Sequence, residues 1–276
     1  MKRSVNFIKM SGSGNDFIVI DNRNQLLNGI FSKTFVKNLC TKGLSVGSDG
    51  LILIEKSKTA DFKWRYFNAD GEEVTFCGNG SRCAAFYAVL KKISSPSLTF
   101  ETQAGIVRAQ VRKKSVKVSM MSPSRLEINK NLFINQKKWE GHYMILGVPH
   151  WIHFSKDIDL INVNEVGRQV RFHPEFMPEG TNANFVDLLN DREIRIRTFE
   201  RGVEAETLAC GTGAVASVLM GHKLFNLSSP VTAYPKGNIP LRIYFKKRDD
   251  EFTDIYLEGD SRVIYEGILH QEAWDY

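Results

Sequence analysis

No run of apolar residues in this chain approaches the ~20 that a membrane-spanning helix requires; the longest are short, such as Leu51–Ile54 (LILI). The start, MKRSVNFIKM, is charged and lacks the apolar centre of a secretory signal. Membrane partners are therefore not expected, and a cytoplasmic location is. Cysteine is scarce: four in 276 residues, with no Cys-x-x-Cys. That excludes a disulfide scaffold in a compartment where thiols stay reduced. Zinc-finger spacing is missing as well. His150 and His153 alternate with apolar residues and have no third ligand nearby, so no metal is expected. An excess of one charge is small, 37 Lys and Arg against 31 Asp and Glu, and the basic residues are scattered. Arg112–Lys114 (RKK) and Lys246–Asp250 (KKRDD) read as exposed turns. Without a basic stripe interleaved with aromatics, no nucleic-acid partner is expected. GSGND, Gly12–Asp16, lacks the Lys-Ser/Thr ending of a phosphate loop and the third glycine of a dinucleotide fingerprint.

The chain does have one conspicuous repetition. CGNGSRCAA begins at Cys77 and CGTGAVAS begins at Cys210. The text before each agrees: RYFNADGEEVTFC and RTFERGVEAETLAC both open on Arg-x-Phe and a polar residue. Both then turn at a glycine (Gly71, Gly202) and place a glutamate four residues before the cysteine (Glu73, Glu206). The text after each also agrees, an alternating strand, a Gly turn (Gly105, Gly237) and a second strand. More loosely, Gly14–Asp21 resembles Thr181–Leu188. A repeat this long implies two domains of one fold. With 42% hydrophobic and 25% charged residues there is ample material for two cores. The expected class is α+β: two pseudo-symmetric domains, each a curved, mostly antiparallel sheet wrapped round a central helix, with the active site in the interdomain cleft. The helices are expected over Gly80–Lys92 and Gly213–Leu224, apolar nearly all round and hence buried. Met120–Arg125 (MMSPSR) marks the boundary, giving halves 1–121 and 122–264, with 265–276 returning to the first.

A cysteine at the mouth of a helix meets unpaired N–H groups and the positive end of the helix dipole, which favour thiolate. The glycines that follow leave room for a ligand carboxylate on the same N–H groups. One such thiol would serve a nucleophile or a base. Two could take a proton from one face of a carbon and deliver one to the other, which inverts a stereocentre. Cys40 and Cys83 read as small core residues; Cys83 has no counterpart in the second helix, where Ala216 stands. A thiol hydrolase would leave one Cys-Gly-x-Gly idle. A pyridoxal-phosphate racemase would need an essential lysine, and Lys236 reads as a hairpin turn. A non-enzymatic binding module of the same fold is the remaining class.

With these motifs in hand the chain resembles the diaminopimelate epimerases. KMSGSGNDFIVID, GSDG, YFNADGEEVTFCGNGSRC, GVPH, GTNANF, ERGVEAETLACGTGA and YEGILH occur in that family's order from end to end. The resemblance implies a cofactor-free stereoinversion of LL- to meso-2,6-diaminopimelate, on the way to lysine and wall peptide. It makes Cys77 and Cys210 the acid–base pair. Asn15, Gly50, Asn68, Asn79, Asn182, Glu200 and Arg201 would line the substrate site. The N–H groups of Gly78, Asn79, Gly211 and Thr212 would hold the reacting carboxylate. His150 and Glu200 would tune the thiols, and Tyr265 would contact a second copy in a homodimer. Arg201 suits a bidentate carboxylate grip. Val148 stands where many members have Asn, and Glu204-Ala205 lengthens the usual ERGVGET by one residue. A mobile loop there would leave room for a broader racemase acting on amino acids such as glutamate.

Overall fold

The apolar segments fold as strands covered on both sides, which is why several read as near-continuous hydrophobic runs. The structure, a computed structural model, describes residues 4–249 and 251–276. Met1–Arg3 of the charged start and Asp250 of KKRDD lie outside them. The described residues form two compact units, one running to Val118 and joined by Gly259–Tyr276, the other Ser119–Glu258.

The first unit contains β1 (Val5–Gly12), β2 (Asn15–Asp21), α1 (Lys33–Cys40), β3 (Gly50–Glu55), β4 (Phe62–Asn68), β5 (Glu73–Val74), α2 (Gly78–Leu90), β6 (Ser97–Thr102), β7 (Gly105–Arg112) and β8 (Ser115–Ser119). β1 and β2 are antiparallel, β2 and β3 parallel, β3 and β4 antiparallel. β4 runs parallel to β6, and β6, β7 and β8 form a meander. Period-2 alternation sends Ile18, Ile20, Leu51 and Leu53 into one core with Phe35, Val36 and Leu39 of α1. The other face meets α2: a methyl group on Gly80 would touch Ile52 Cδ1 at 3.5 Å and Trp64 Cζ2 at 3.6 Å. Ser32 starts α1, its hydroxyl accepting the Phe35 N–H at 3.0 Å.

The second unit contains β9 (Arg125–Glu127), β10 (Leu132–Ile134), β11 (Lys137–Trp139), β12 (His142–Leu146), β13 (Val148–Phe154), α3 (Val163–Arg171), β14 (Asn182–Asn190), β15 (Glu193–Glu200), β16 (Ala205–Thr207), α4 (Gly211–Phe225), β17 (Val231–Pro235), β18 (Leu241–Arg248) and β19 (Glu251–Asp260). Its strands repeat the same order of antiparallel and parallel steps. α3 packs through Val163 and Val170 on Trp151, Phe185 and Phe199. The last strand, β20 (Arg262–Leu269), pairs with β1. Each unit is thus a mostly antiparallel sheet covering one apolar helix, α2 or α4, as the binary pattern requires.

Two sequence expectations are corrected. Topology matches β2 to β13 and β3 to β14, so Gly14–Asp21 is not the counterpart of Thr181–Leu188. Phe17 pairs with Gly50 across the parallel step of the first unit, and His150 with Asn182 in the second. Leu51 then faces Phe67, as Ala183 faces Phe199. Asn15 therefore corresponds to Val148, Gly50 to Asn182, and Asn68 to Glu200. Doubly covered strands look alike in composition, so pattern matching slides from one to the next. Secondly, Lys246–Arg248 of KKRDD continue β18 rather than forming the turn. Arg112 likewise ends β7, and Lys113 and Lys114 make the exposed turn to β8.

Candidate active site

Cys77 ends the β4–β5 hairpin and caps α2 with extended backbone, φ −146° and ψ 115°; its sulfur accepts the Gly80 N–H at 3.4 Å. Cys210 ends the β15–β16 hairpin and caps α4 with φ −112° and ψ 108°. Its sulfur lies 3.6 Å from Thr212 Oγ1. Each cysteine thus stands where the first turn leaves N–H groups without intrahelical partners, those of Gly78 and Asn79 in one unit and Gly211 and Thr212 in the other.

The thiols differ in setting. Cys77 is half-buried, and Cys210 is 7% exposed. Burial, followed by the Glu200 carboxylate, pushes the Cys210 thiol well above its ordinary range, against the opposing Thr212 hydroxyl and Gly213 N–H. The thiolate expected from a helix N-terminus is therefore not favoured at Cys210, because desolvation outweighs the partial charge of the helix end. Burial also lifts Cys40 and Cys83 to about 12, which fits core thiols. Cys83 packs beneath Gly12, where an added Cβ would meet Asn79 O at 2.9 Å and Cys83 Sγ at 3.2 Å.

The amides gather locally within each unit. Asn79 Nδ2 donates to Asn15 Oδ1, and Asn15 Nδ2 donates to Asp49 Oδ2 at 3.2 Å. Asn68 stands exposed at the end of β4. In the second unit Asn182 donates to Pro149 O at 3.1 Å and accepts the Arg201 N–H at 2.8 Å. Glu200 accepts the Thr207 hydroxyl. Arg201 Nη1 donates to Glu179 O at 2.9 Å.

Three of the expected positions have well-defined surroundings. Gly50 is a packing position: its N–H and C=O both meet the Ser48 hydroxyl, and a Cβ would lie 2.4 Å from Phe67 O. His150 is fully buried, and burial, then the Arg201 guanidinium, pushes it down to about 3. As a neutral ring it cannot tune a thiol through charge. Glu204 holds its loop through an ion pair and a backbone hydrogen bond. It adopts a left-handed φ of 59°, and its Oε1 accepts Arg171 Nε at 3.0 Å and the Gly202 N–H at 3.0 Å. The added residue is thereby tied to α3.

Sequence reasoning missed Asn184, whose Nδ2 donates to Trp151 O at 2.9 Å and faces His150 Nδ1 at 3.4 Å. Its Oδ1 accepts the Thr198 hydroxyl at 3.1 Å. Because Asn184 presents its donor, His150 Nδ1 is the acceptor and Nε2 carries the proton. Position i+2 from Asn182 on one strand face was the available signal. It also missed Asp49 and Arg82. Arg82 is a charge inside an apolar helix, which should have stood out.

Solved structures share this architecture. A PhzF-family phenazine biosynthesis protein of Bacillus anthracis superposes with a TM-score of 0.73 at 17% identity, covering 98% of this chain and 99% of that one. A hydroxyproline epimerase of Agrobacterium vitis does so with a TM-score of 0.73 at 15% identity, covering 99% and 94%. The class is the two-unit fold that these proteins adopt. The family follows from closer matches. The family model "Diaminopimelate epimerase" matches residues 7–126 and 143–262. The diaminopimelate epimerase of Aquifex aeolicus is 40% identical over 98% of this chain and 99% of its own. That of Chlorobaculum tepidum is 42% identical over 94% and 99%, and that of Archaeoglobus fulgidus 36% over 95% of each. The chain belongs to the diaminopimelate epimerase family.

Proposed function

We propose that this chain inverts one α-carbon of LL-2,6-diaminopimelate to give the meso form, with Cys77 and Cys210 as the acid–base pair and no cofactor. The observation that carries this reading is the duplication of one device: a cysteine capping a buried helix at the equivalent position of each unit. Cys210, buried beside Glu200, is suited to hold a proton and give it up. Cys77, whose sulfur accepts a backbone N–H, is suited to receive one. In this reading the Cα–H bond breaks as an S–H bond forms at Cys77. The electron pair spreads into the α-carboxylate, and the Cys210 proton goes to the opposite face of the carbon. The carboxylate's growing charge is met by the N–H groups of Gly78, Asn79, Gly211 and Thr212. Asn15, Asn68, Asn79, Asn182, Glu200 and Arg201 supply the amides, carboxylate and guanidinium that a substrate with two ammoniums and two carboxylates needs. The product would feed lysine and wall-peptide synthesis.

Val263, Ile264, Tyr265 and Ile268 leave large apolar side chains exposed on β20, which supports a homodimer through that strand. No helix among the described residues is long and apolar enough to cross a membrane.

The test is incubation of the purified protein with LL-diaminopimelate in deuterated water without added cofactor. Meso product carrying deuterium at the inverted carbon is expected. Absence of both conversion and exchange would overturn the reading.

A further inference from the structure

Arg82 is fully buried inside α2, and nothing in the catalytic reading uses it. Its Nη2 donates to Asn79 Oδ1 and to Ser13 Oγ, each at 2.8 Å. Nη1 reaches Gly78 O and Nε reaches Asp260 O, each at 3.3 Å. The Ser13 hydroxyl in turn donates a hydrogen bond to Asp260 Oδ1 at 3.2 Å, which brings a carboxylate to balance the buried cation.

A guanidinium can only donate. The Asn79 atom facing it must therefore be oxygen, which leaves the Asn79 nitrogen to donate to Asn15. Asn15 must accept with its oxygen, so its nitrogen faces Asp49 Oδ2. That oxygen also accepts the Asp16 N–H at 3.1 Å, so it too has a fixed role. The chain Arg82→Asn79→Asn15→Asp49 begins on a group that only donates and ends on an atom that only accepts. Turning either amide over would set like poles against each other and leave a buried group unsatisfied, at about 1–3 kcal/mol.

The second unit supplies an internal comparison. Val215 stands at the counterpart of Arg82, five residues after Cys210 as Arg82 is after Cys77. Thr212 stands for Asn79, and Val148 for Asn15. The buried guanidinium occurs where there is an amide pair to orient and is replaced by valine where there is none.

We propose that Arg82 is a positioning residue: it locks the side-chain amides of Asn79 and Asn15 in the single orientation in which they meet the substrate. This rests on the reading of those two asparagines as substrate contacts. Held this way, each amide offers a fixed N–H and lone pair before the substrate arrives, so the cost of ordering them falls on folding and not on binding.

The experiment compares wild type with Arg82→Lys, which keeps the charge but loses the fork. KM for LL-diaminopimelate is expected to rise about 10-fold with kcat changed less than about 3-fold, as for lost ground-state binding. In an Asn15→Ala/Asn79→Ala background the same change should add nothing further to KM. Independently of turnover, nitrogen-15 spectra should show slowly exchanging side-chain amide protons for Asn15 and Asn79, identified by their loss in the alanine variants. Exchange should quicken about 10-fold in Arg82→Lys. If wild type fails to turn over diaminopimelate, the activity reading falls and the amide exchange alone decides this inference. Unchanged exchange in Arg82→Lys, or a KM effect that persists without the two amides, would overturn it.

Discussion

Arg197 grips Glu206 through two parallel hydrogen bonds, Nε to Oε1 at 2.7 Å and Nη2 to Oε2 at 3.0 Å. Arg65 grips Glu73 in the same way, at 2.9 and 2.7 Å. In both units the glutamate lies directly opposite a phenylalanine, Phe199 or Phe67, across the hairpin that leads to the cysteine. The longer connection of the second unit is absorbed by the left-handed turn at Glu204, so the register is kept. The fork fixes where each hairpin ends and therefore where each thiol begins.

The two clamps should not be equal in energy. The Glu206 side chain is 3% exposed and also takes Lys236 Nζ at 2.7 Å, whereas that of Glu73 is 25% exposed. Glu206→Gln should cost about 3 kcal/mol, since it removes a buried carboxylate charge that both Arg197 and Lys236 pair with. Glu73→Gln should cost about 1 kcal/mol. Burial pushes Glu206 upward, but the Arg197 and Lys236 hydrogen bonds and charges outweigh it and hold the carboxyl below 4.5. Its stabilisation is complete above that value and is lost as pH falls further. Denaturant unfolding at pH 7 and pH 4 checks both points. An equal loss in the two variants at pH 7 would contradict the ranking.

Gly80 and Gly213 hold the same place in the two Cys-Gly-x-Gly segments but have opposite tolerance. A Cβ on Gly80 would find its nearest atom at 3.5 Å, an ordinary contact. On Gly213 it would lie 2.3 Å from Asn184 Oδ1 and 3.2 Å from Cys210 Sγ. Gly80→Ala is expected to be neutral or stabilising by up to about 1 kcal/mol, the helix-propensity difference. Gly213→Ala is expected to destabilise by about 1–3 kcal/mol and to depress turnover, because Asn184 and the thiol must both move. Melting curves and rates for the pair decide it; Gly213→Ala as benign as Gly80→Ala would remove the argument.

Cys77→Ala and Cys210→Ala should each reduce epimerisation at least about 100-fold, the lower end for loss of a general acid or base. Cys40→Ala and Cys83→Ala should leave most activity. At pH 8 iodoacetamide should spare Cys40 and Cys83, whose thiols titrate near 12. Rates for the four variants, with peptide mapping of alkylated wild type, provide the check. Near-normal turnover by either of the first two would sink the two-thiol mechanism.

The duplicated helices and their caps were legible in the sequence because glycine, cysteine and small apolar residues do not substitute freely where backbone, thiol and ligand crowd together. α2 and α4 start directly after Cys77 and Cys210 for that reason. The pairing of strands was less legible. Alternation alone aligns Gly14–Asp21 with β14 and not with its counterpart β13, since it reports burial and not partner. Polar partners buried far from the motifs were harder still. Asp49 is 34 residues from Asn15, and Asp260 is 178 from Arg82. Only the fold brings them together. The effect of Glu204 was also out of reach, because its partner Arg171 belongs to another element.

His150 gives a separate signature in acid. Its ring is buried and neutral, with burial and then Arg201 pushing its pKa from 6.5 to about 3. Once unfolded, the same ring takes a proton near 6.5. Between these values the unfolded state binds more protons than the folded one, so stability must fall as pH falls. The contribution is complete above 6.5 and drains by at most about 1.4 kcal/mol per pH unit below it. Glu73 and Glu206 are held below 4.5, so their losses begin later. His142 and His153 are also lowered by burial and add to the same window. The His150 share is therefore read by difference. Between pH 6.5 and pH 5, wild type should lose roughly 1.5 kcal/mol more unfolding free energy than His150→Gln, which cannot titrate there. Denaturant unfolding at the two pH values measures it. Equal slopes for the two proteins would show that His150 is not the buried neutral ring described.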